Sequence, residues 1–191
     1  MIPEDVWSLP DSAVIGEKVY AIHGDFRDAL TIFNILGGEE PYPVRLRMAL
    51  AVFYEEYENI PPTLWEEAVE YMIWFLNGGS LEKEEEKPSP KRIDWEQDQW
   101  MIIAGVNKEA GHDIRALPFF HWWNFLSCFH NIGEGQLSLV VSIRDKIRKR
   151  KKLEPWEREF YAENKKLVDF KPKYTQEEIQ ERERLNKLLN G

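Results

Sequence analysis

Cysteine is nearly absent from this chain of 191 residues, which contains only Cys128. A lone cysteine cannot form an internal disulfide and is typical of proteins in a reducing cytosol. The longest apolar stretch covers residues 117–132, about sixteen residues, and is too short to span a bilayer. It is also interrupted by the polar residues His121, Asn124 and Ser127. The chain begins without the basic region and apolar core of a signal peptide, so we expect an intracellular soluble protein.

Signatures of catalysis are absent as well. The sequence has no glycine-rich phosphate loop and no Gly-x-Ser-x-Gly motif. Its four histidines include no pair at the i, i+4 spacing of a helical zinc site. Cys128 lies between Phe125 and Phe129, where we expect a small buried hydrophobe and no nucleophile. We therefore predict a protein that is not an enzyme, with no catalytic residue, metal ligand or cofactor. An enzyme would need a pocket that gathers His112, Asp113 and another titratable group.

Positive charge is scarce in the first half of the chain. Residues 1–90 hold eighteen Asp and Glu against six Lys and Arg, a net charge of −12, whereas residues 91–191 have sixteen against nineteen, a net of +3. This balance argues against nucleic-acid binding by the whole molecule. A basic run from Arg144 to Lys152 is typical of a solvated helix end. Its residues Arg148, Lys149 and Arg150 are candidate contacts for an acidic partner surface or for phosphate.

Apolar periodicity predicts a mainly α protein, a compact multi-helix bundle in two lobes with a small N-terminal β-hairpin. Residues 1–79 form an acidic N-terminal lobe in this interpretation. It comprises the hairpin around Gly16-Glu17 and three helices. The first begins after Asp25, the second near Pro43, and the third at a capping box formed by Thr63 and Glu66. The second of these helices is expected to reach Tyr57. Residues 80–92 are charged and proline-rich, which predicts a flexible linker.

Residues 93–191 form the second predicted lobe, which is aromatic-rich, helical and basic at one helix end. Its first helix has capping-box spacing at Asp94 and Gln97 and ends at Gly111. The following helices are expected to start at Pro118, Ser138, Pro155 and Thr175. The last one carries too thin an apolar stripe to fold alone. We expect it to be peripheral, either docked on another surface or frayed.

Six aromatic residues lie between Phe119 and Phe129. The polar residues among them recur at three- and four-residue steps, which predicts a helix enclosed by protein on most sides. Within it, Trp122 and Trp123 are candidates for the hydrophobic core or for a protein–protein anchor, since tryptophan is enriched at binding hot spots. Nucleobase stacking is the alternative, but few cations lie nearby in the sequence.

Asp98 lies between Trp95 and Ile102 on the apolar face of its predicted helix. A carboxylate buried without a partner is costly, so this residue needs a cation or hydrogen-bond donors. Arg144 is the partner that we predict, with His121 as the alternative. We interpret the pair as a structural tie between helices and not as a catalytic site.

Several blocks carry a family resemblance. They are Ile93-Asp-Trp-Glu-Gln-Asp-Gln-Trp-Met, Phe120-His-Trp-Trp-Asn-Phe125, Ile143-Arg-Asp-Lys-Ile147, Asp25-Phe-Arg-Asp-Ala-Leu and Trp74-Phe-Leu-Asn-Gly-Gly79. Together they resemble a family of small tail-assembly proteins of long-tailed bacteriophages and prophages of Gram-positive bacteria, over nearly the whole chain. The sequence departs from the family pattern at Gly105, where a larger residue is expected, and at Gly111-His-Asp-Ile114.

The resemblance implies a tail assembly chaperone encoded beside the tape-measure protein. Such a chaperone binds and shields the long, apolar-striped tape-measure helix while the tail grows. It would act in the host bacterial cytoplasm and be absent from the mature virion. Self-association, or association with a second tail chaperone, is compatible with this role, and no membrane is involved. The alternative is a phage nucleic-acid-binding accessory protein, in which the 144–152 basic run would contact phosphate.

Overall fold

The computed structural model describes residues 7–80 and 91–171. The chain divides into two compact units, Met1–Leu139 and Val140–Gly191. Among the described residues, helices dominate and the only sheet has two strands near the N-terminus. The predicted fold class, mainly α with an N-terminal hairpin, is therefore confirmed. No helix among the described residues is both long and apolar enough to cross a membrane.

The hairpin comprises β1 (Ser12–Ile15) and β2 (Lys18–Ala21), which pair in antiparallel register. Gly16, the first residue of the turn, has φ +61°, while Glu17 has a negative φ. Positive φ at the first turn residue alone is the requirement of the predicted type II′ turn. Ala13, Ile15 and Tyr20 are buried, so one face of the hairpin covers the core.

Helix α1 (Phe26–Leu36) begins at the predicted N-cap, Asp25, and ends at Gly37. Helix α2 (Tyr42–Phe53) ends earlier than predicted. The helix stops at Phe53 because Tyr54 is extended and forms an antiparallel bridge with Ile22 next to the hairpin. The Tyr54 hydroxyl also donates to the carbonyl of Ala68 at 2.9 Å, and burial raises its pKa well above the usual range. This contact between distant residues cannot be read from the local apolar pattern.

Helix α3 (Trp65–Leu76) follows two short 3-10 segments, Tyr57–Asn59 and Pro62–Leu64. The predicted capping box is wrong. The N-cap position is Leu64, and its side chain makes no capping bond. The preceding 3-10 turn instead supplies an acceptor for the first N–H of the helix, since the Trp65 N–H donates to the Pro62 carbonyl.

Helix α4 (Gln99–Ala110) ends as predicted at Gly111, which has φ +76°. It begins later than the Asp94–Gln97 spacing predicted, because Asp94 caps a separate turn by accepting from the N–H groups of Glu96 and Gln97. Helix α5 (Trp122–His130) likewise starts after the predicted Pro118. A 3-10 segment, Ile114–Ala116, precedes it, and the chain then runs on to an antiparallel bridge between Asp25 and His121.

Three helices complete the described chain: α6 (Gln136–Arg148), α7 (Pro155–Glu163) and α8 (Lys165–Val168). Helix α7 starts at the predicted Pro155, where Glu154 and Glu157 form a capping box. The Lys146 ammonium lies 2.6 Å from a Glu157 oxygen and lowers the pKa of that carboxyl. Helix α8 was not predicted. The helix predicted to start at Thr175 lies outside the described residues.

The compact units do not follow the predicted lobes. The predicted boundary lies at residues 80–92, of which 81–90 are outside the described residues, whereas the unit boundary lies after Leu139. The physical reason is a shared core. Trp122 of α5 packs against Phe33 of α1 with 5.8 Å between ring centroids, and Phe75 of α3 packs against Trp123 at 6.0 Å. Elements before and after residues 80–92 are therefore joined by aromatic contacts.

Candidate functional site

Trp122 lies inside this aromatic core, and Trp123 lies at its edge. The Trp122 indole N–H donates to the Leu76 carbonyl, and that of Trp123 donates to the Phe75 carbonyl, both at 2.9 Å. Both carbonyls lie in the last turn of α3, where backbone partners run out; the Phe75 carbonyl also accepts the Gly78 N–H at 3.0 Å. The tryptophans of α5 thus cap α3. Trp122 is 0% exposed, so the folded unit offers none of its ring to a partner, and Trp123 is only half-buried.

His121 occupies the N-cap position of α5. Its Nδ1 accepts the Trp123 backbone N–H at 3.1 Å, and its Nε2 donates to the Pro10 carbonyl at 3.1 Å. An imidazole that accepts at Nδ1 and donates at Nε2 is neutral, with its proton on Nε2. Burial lowers the pKa of His121, which favours the same neutral form. The polar stripe predicted from the sequence therefore begins with a structural histidine.

Asp25 joins α1 to the segment in front of α5. Its carboxylate accepts from the backbone N–H of Arg27 at 2.9 Å and from that of Phe120 at 2.8 Å. The Arg27 guanidinium lies 3.0 Å from both carboxylate oxygens. Its other nitrogen donates to the carbonyls of Ile114, Arg115 and Leu117. These hydrogen bonds hold the start of α1 against the segment in front of α5. Asp25 and Arg27 therefore have a structural role.

Asp98 and Arg144 lie in different compact units, so the tie predicted between them stays a prediction. Asp98 is 0% exposed, which confirms that it is buried. Its carboxylate accepts the Asp94 N–H at 2.9 Å. Arg144 is buried too. Its guanidinium donates to the carbonyls of Val168 at 2.6 Å and Leu167 at 2.9 Å, and it lies 4.1 Å from the centroid of the Phe170 ring.

Arg148, Lys149 and Arg150 are exposed at the C-terminal end of α6. Arg148 and Lys149 form ion pairs with Asp145, and the two cations lower the pKa of that carboxyl to about 2. Arg150 has φ +53°, and the N–H of Lys151 donates back to the Lys146 carbonyl at 2.8 Å. This is the Schellman arrangement that ends many helices. The predicted basic helix end is thus present, and partner binding by it stays a prediction.

Among the aromatic residues of the described helices, Trp100 has the highest exposed fraction, 69%. It borders a groove of about 250 Å³ between α4 and the start of α6, which we call the α4 groove. The wall is formed by Met101, Ala104, Gly105, Ile132 and Leu137, with Lys108 and Glu109 at the rim. Sequence reasoning missed Trp100. Its position off the apolar stripe of α4 was the signal that could have identified it.

A more polar cleft of about 420 Å³ lies beside β2 and is called the β2 cleft. Its walls are formed by Lys18, Val19, Tyr20, Ala21, Glu55, Glu56 and Asn59. His112 and Asp113 line neither this cleft nor the α4 groove. The Arg115 guanidinium, 2.7 Å from Asp113, holds the pKa of that carboxyl far below its usual range. Among the described residues, no group of three His, Cys, Asp or Glu is arranged to hold a metal ion.

Comparison with known proteins identifies a family. The family model described as bacteriophage Gp15 protein matches residues 7–170. No curated protein and no solved structure matches the chain. The matched range includes the hairpin, all eight described helices, the α4 groove and the basic helix end. Because the match covers most of the sequence, this chain belongs to the bacteriophage Gp15 protein family.

Proposed function

We propose that this phage protein is a tail assembly chaperone, which binds the tape-measure protein and shields its apolar surface during tail growth. It acts by binding and not by making or breaking bonds. Its place of action is the cytoplasm of a Gram-positive host, and it is absent from the mature virion. Membership of a bacteriophage family supports the proposal. The motif resemblance to tail-assembly proteins supports the specific role in tail assembly.

The observation that carries the proposal is the α4 groove with its exposed Trp100. Apolar surface that remains exposed on an ordered helix is a common mark of a protein–protein contact. Grooves of this kind bind amphipathic helices, whose apolar residues at i, i+3 and i+4 enter the groove while polar residues stay at its rim. The tape-measure protein is expected to supply such a helix. Met101, Ile132 and Leu137 then cover its side chains.

The experiment is co-expression with the tape-measure protein of the same phage, followed by affinity purification of the chaperone. We expect the tape-measure protein to remain soluble and to co-purify. Trp100→Ala is expected to reduce the co-purified client about tenfold, since exposed aromatic anchors at interfaces contribute 1–2 kcal/mol or more. Trp156→Ala is the matched control, because Trp156 is also more than half exposed and lies in the second unit.

Two outcomes would contradict the proposal. The first is a tape-measure protein that stays insoluble and does not co-purify with the unaltered chain. The second is an equal loss of client in the Trp100 and Trp156 variants, which would remove the α4 groove as the binding surface. Circular dichroism of each variant checks that the fold is intact, as expected for exposed positions.

The nucleic-acid alternative is favoured by one observation. Arg150, Lys151 and Lys152 are exposed, and none of them forms an ion pair within the described part of the chain. DNA binding through this segment would weaken steeply with salt. It would also be lost when Lys151 and Lys152 are replaced by Glu. If the protein does not bind DNA even at low salt, the nucleic-acid alternative is excluded.

A further inference from the structure

The outer edge of β2 carries backbone groups that the hairpin leaves unpaired. Residues of an antiparallel pair alternate between hydrogen-bonded and non-hydrogen-bonded positions. The Ile22 N–H donates to the Asp11 carbonyl at 3.0 Å, so Ile22 is at a hydrogen-bonded position. Because the positions alternate along the strand, Tyr20 and Lys18 are also hydrogen-bonded to β1. Val19 lies between them. Its N–H and C=O therefore point away from β1, toward the β2 cleft.

The chain at Tyr54 and Glu55 pairs briefly with this edge and leaves it before it reaches Val19. Tyr54 bridges Ile22, and the Glu55 N–H donates to the Ala21 carbonyl at 3.1 Å. The chain then turns into the 3-10 segment Tyr57–Asn59 and leaves the sheet. The interrupted pairing leaves the β2 cleft, and the Val19 side chain beside it is 68% exposed. Such an edge is a template for an added strand.

The negative charge around the β2 cleft favours an added strand that carries positive charge. Glu55, Glu56 and Glu58 are all exposed on the segment that leaves the sheet. Glu55 forms no ion pair within the described part of the chain, and Glu56 accepts only the neutral Asn59 amide, at 2.8 Å. Lys18 is the single cation among the residues that line the cleft. An added strand with lysine or arginine side chains fits this rim.

The chain itself contains such a strand directly after α6. Lys151–Glu154 is neither helix nor sheet, and Lys151 and Lys152 are exposed. The backbone N–H groups of Lys152 and Leu153 form no hydrogen bond with another described residue. The positive φ of Arg150 turns the chain away from the helix axis. The segment is therefore short and basic, lies outside helix and sheet, and has unpaired backbone N–H groups of its own.

We propose that the Lys151–Leu153 segment of one copy adds to the outer edge of β2 in a second copy. Its backbone pairs with Val19, and its lysines face Glu55 and Glu56. The contact joins two different surfaces, so each copy can use both at once. Contacts of this kind form rings if the rotation closes and open chains if it does not. Association therefore either ends at a closed ring or continues into longer chains as the concentration rises.

Sedimentation of the full chain from about 1 µM to about 1 mM, a range that covers weak protein contacts, tests the association. We expect the average mass to rise with concentration and the association to weaken with salt. Glu55→Lys/Glu56→Lys and Lys151→Glu/Lys152→Glu should each weaken it about tenfold, since each removes two exposed ion pairs and introduces repulsion. The variant that combines all four changes should restore it.

Controls with the same changes in charge are available elsewhere on the surface. Glu39→Lys/Glu40→Lys and Lys165→Glu/Lys166→Glu alter adjacent exposed pairs outside the proposed contact, and we expect normal association. Hydrogen exchange of the Val19 amide reports on strand addition itself, because this N–H exchanges rapidly in the monomer and becomes protected in the assembly. A chain that is monomeric throughout, a charge swap that fails to restore association, or an unprotected Val19 amide would each overturn the proposal.

Discussion

At the scale of single residues, buried polar groups in this protein act as caps and ties. Asp25 caps α1 and accepts from Phe120, and His121 caps α5 and bonds to Pro10. Each of these two side chains caps its own helix and also bonds to a residue that is distant in the sequence. Buried polar groups need partners of this kind, because a donor or acceptor left unpaired costs about 1–3 kcal/mol.

The protonation of His121 should make the stability of the fold depend on pH. Burial lowers the folded-state pKa below the ordinary value for histidine, about 6.5. The unfolded chain then binds the proton more tightly, so stability is full above that value and falls as the pH drops below it. In urea unfolding between about pH 7.5 and pH 5, we expect this loss in the unaltered chain. His121→Asn, which keeps a capping side chain but does not titrate, should reduce the loss. Superimposable pH profiles would contradict the assignment.

Arg150 adopts a left-handed backbone conformation that favours glycine. For a residue with a Cβ this conformation costs about 1–2 kcal/mol, and glycine recovers part of that at the expense of greater freedom in the unfolded chain. Arg150→Gly should therefore raise the free energy of unfolding by about 0.5–1 kcal/mol. Arg150→Lys should leave it unchanged. A glycine variant that is less stable in urea unfolding would show that the Arg150 side chain contributes contacts that outweigh the strain.

At the scale of elements, α5 caps the end of α3 through two indole N–H groups. Trp122→Phe should cost about 2–4 kcal/mol, because it removes buried volume and leaves the Leu76 carbonyl without its partner. Trp123→Phe should cost about 1 kcal/mol, since Trp123 is only half-buried. Trp100→Phe, at an exposed site, should change stability by less than about 0.5 kcal/mol. Urea unfolding measures all three, and a Trp122 variant no less stable than the Trp100 variant would contradict the capping role.

Local signals explain which elements could be predicted from the sequence. The hairpin turn at Gly16, the cap at Asp25, the end of α4 at Gly111 and the start of α7 at Pro155 each depend on one residue and its neighbours. The early end of α2 and the late start of α5 depend on pairing between distant residues, such as the Trp122 N–H with the Gly24 carbonyl at 2.8 Å. The exposure of Trp100, in contrast, follows from its position off the apolar stripe of α4, which is a local feature of the sequence.

At the scale of the whole molecule, the protein combines an apolar groove with an acidic first half and an exposed basic segment. A binding protein needs such surfaces, and in our proposal each has one occupant. The α4 groove receives the tape-measure helix, and the β2 cleft receives the basic segment of a second copy. The two contacts use different residues, so a defect in one should leave the other intact.

In our proposal the protein works by covering the apolar surface of the tape-measure protein. The most direct measurement is the yield of soluble tape-measure protein when increasing molar amounts of this chain are supplied. A protein that shields by binding should raise the soluble yield in proportion to its own amount, up to a fixed ratio set by the number of sites on the client. Full solubility at a small fraction of that ratio would indicate catalytic turnover, and no increase at any ratio would show that the tape-measure protein is not the client.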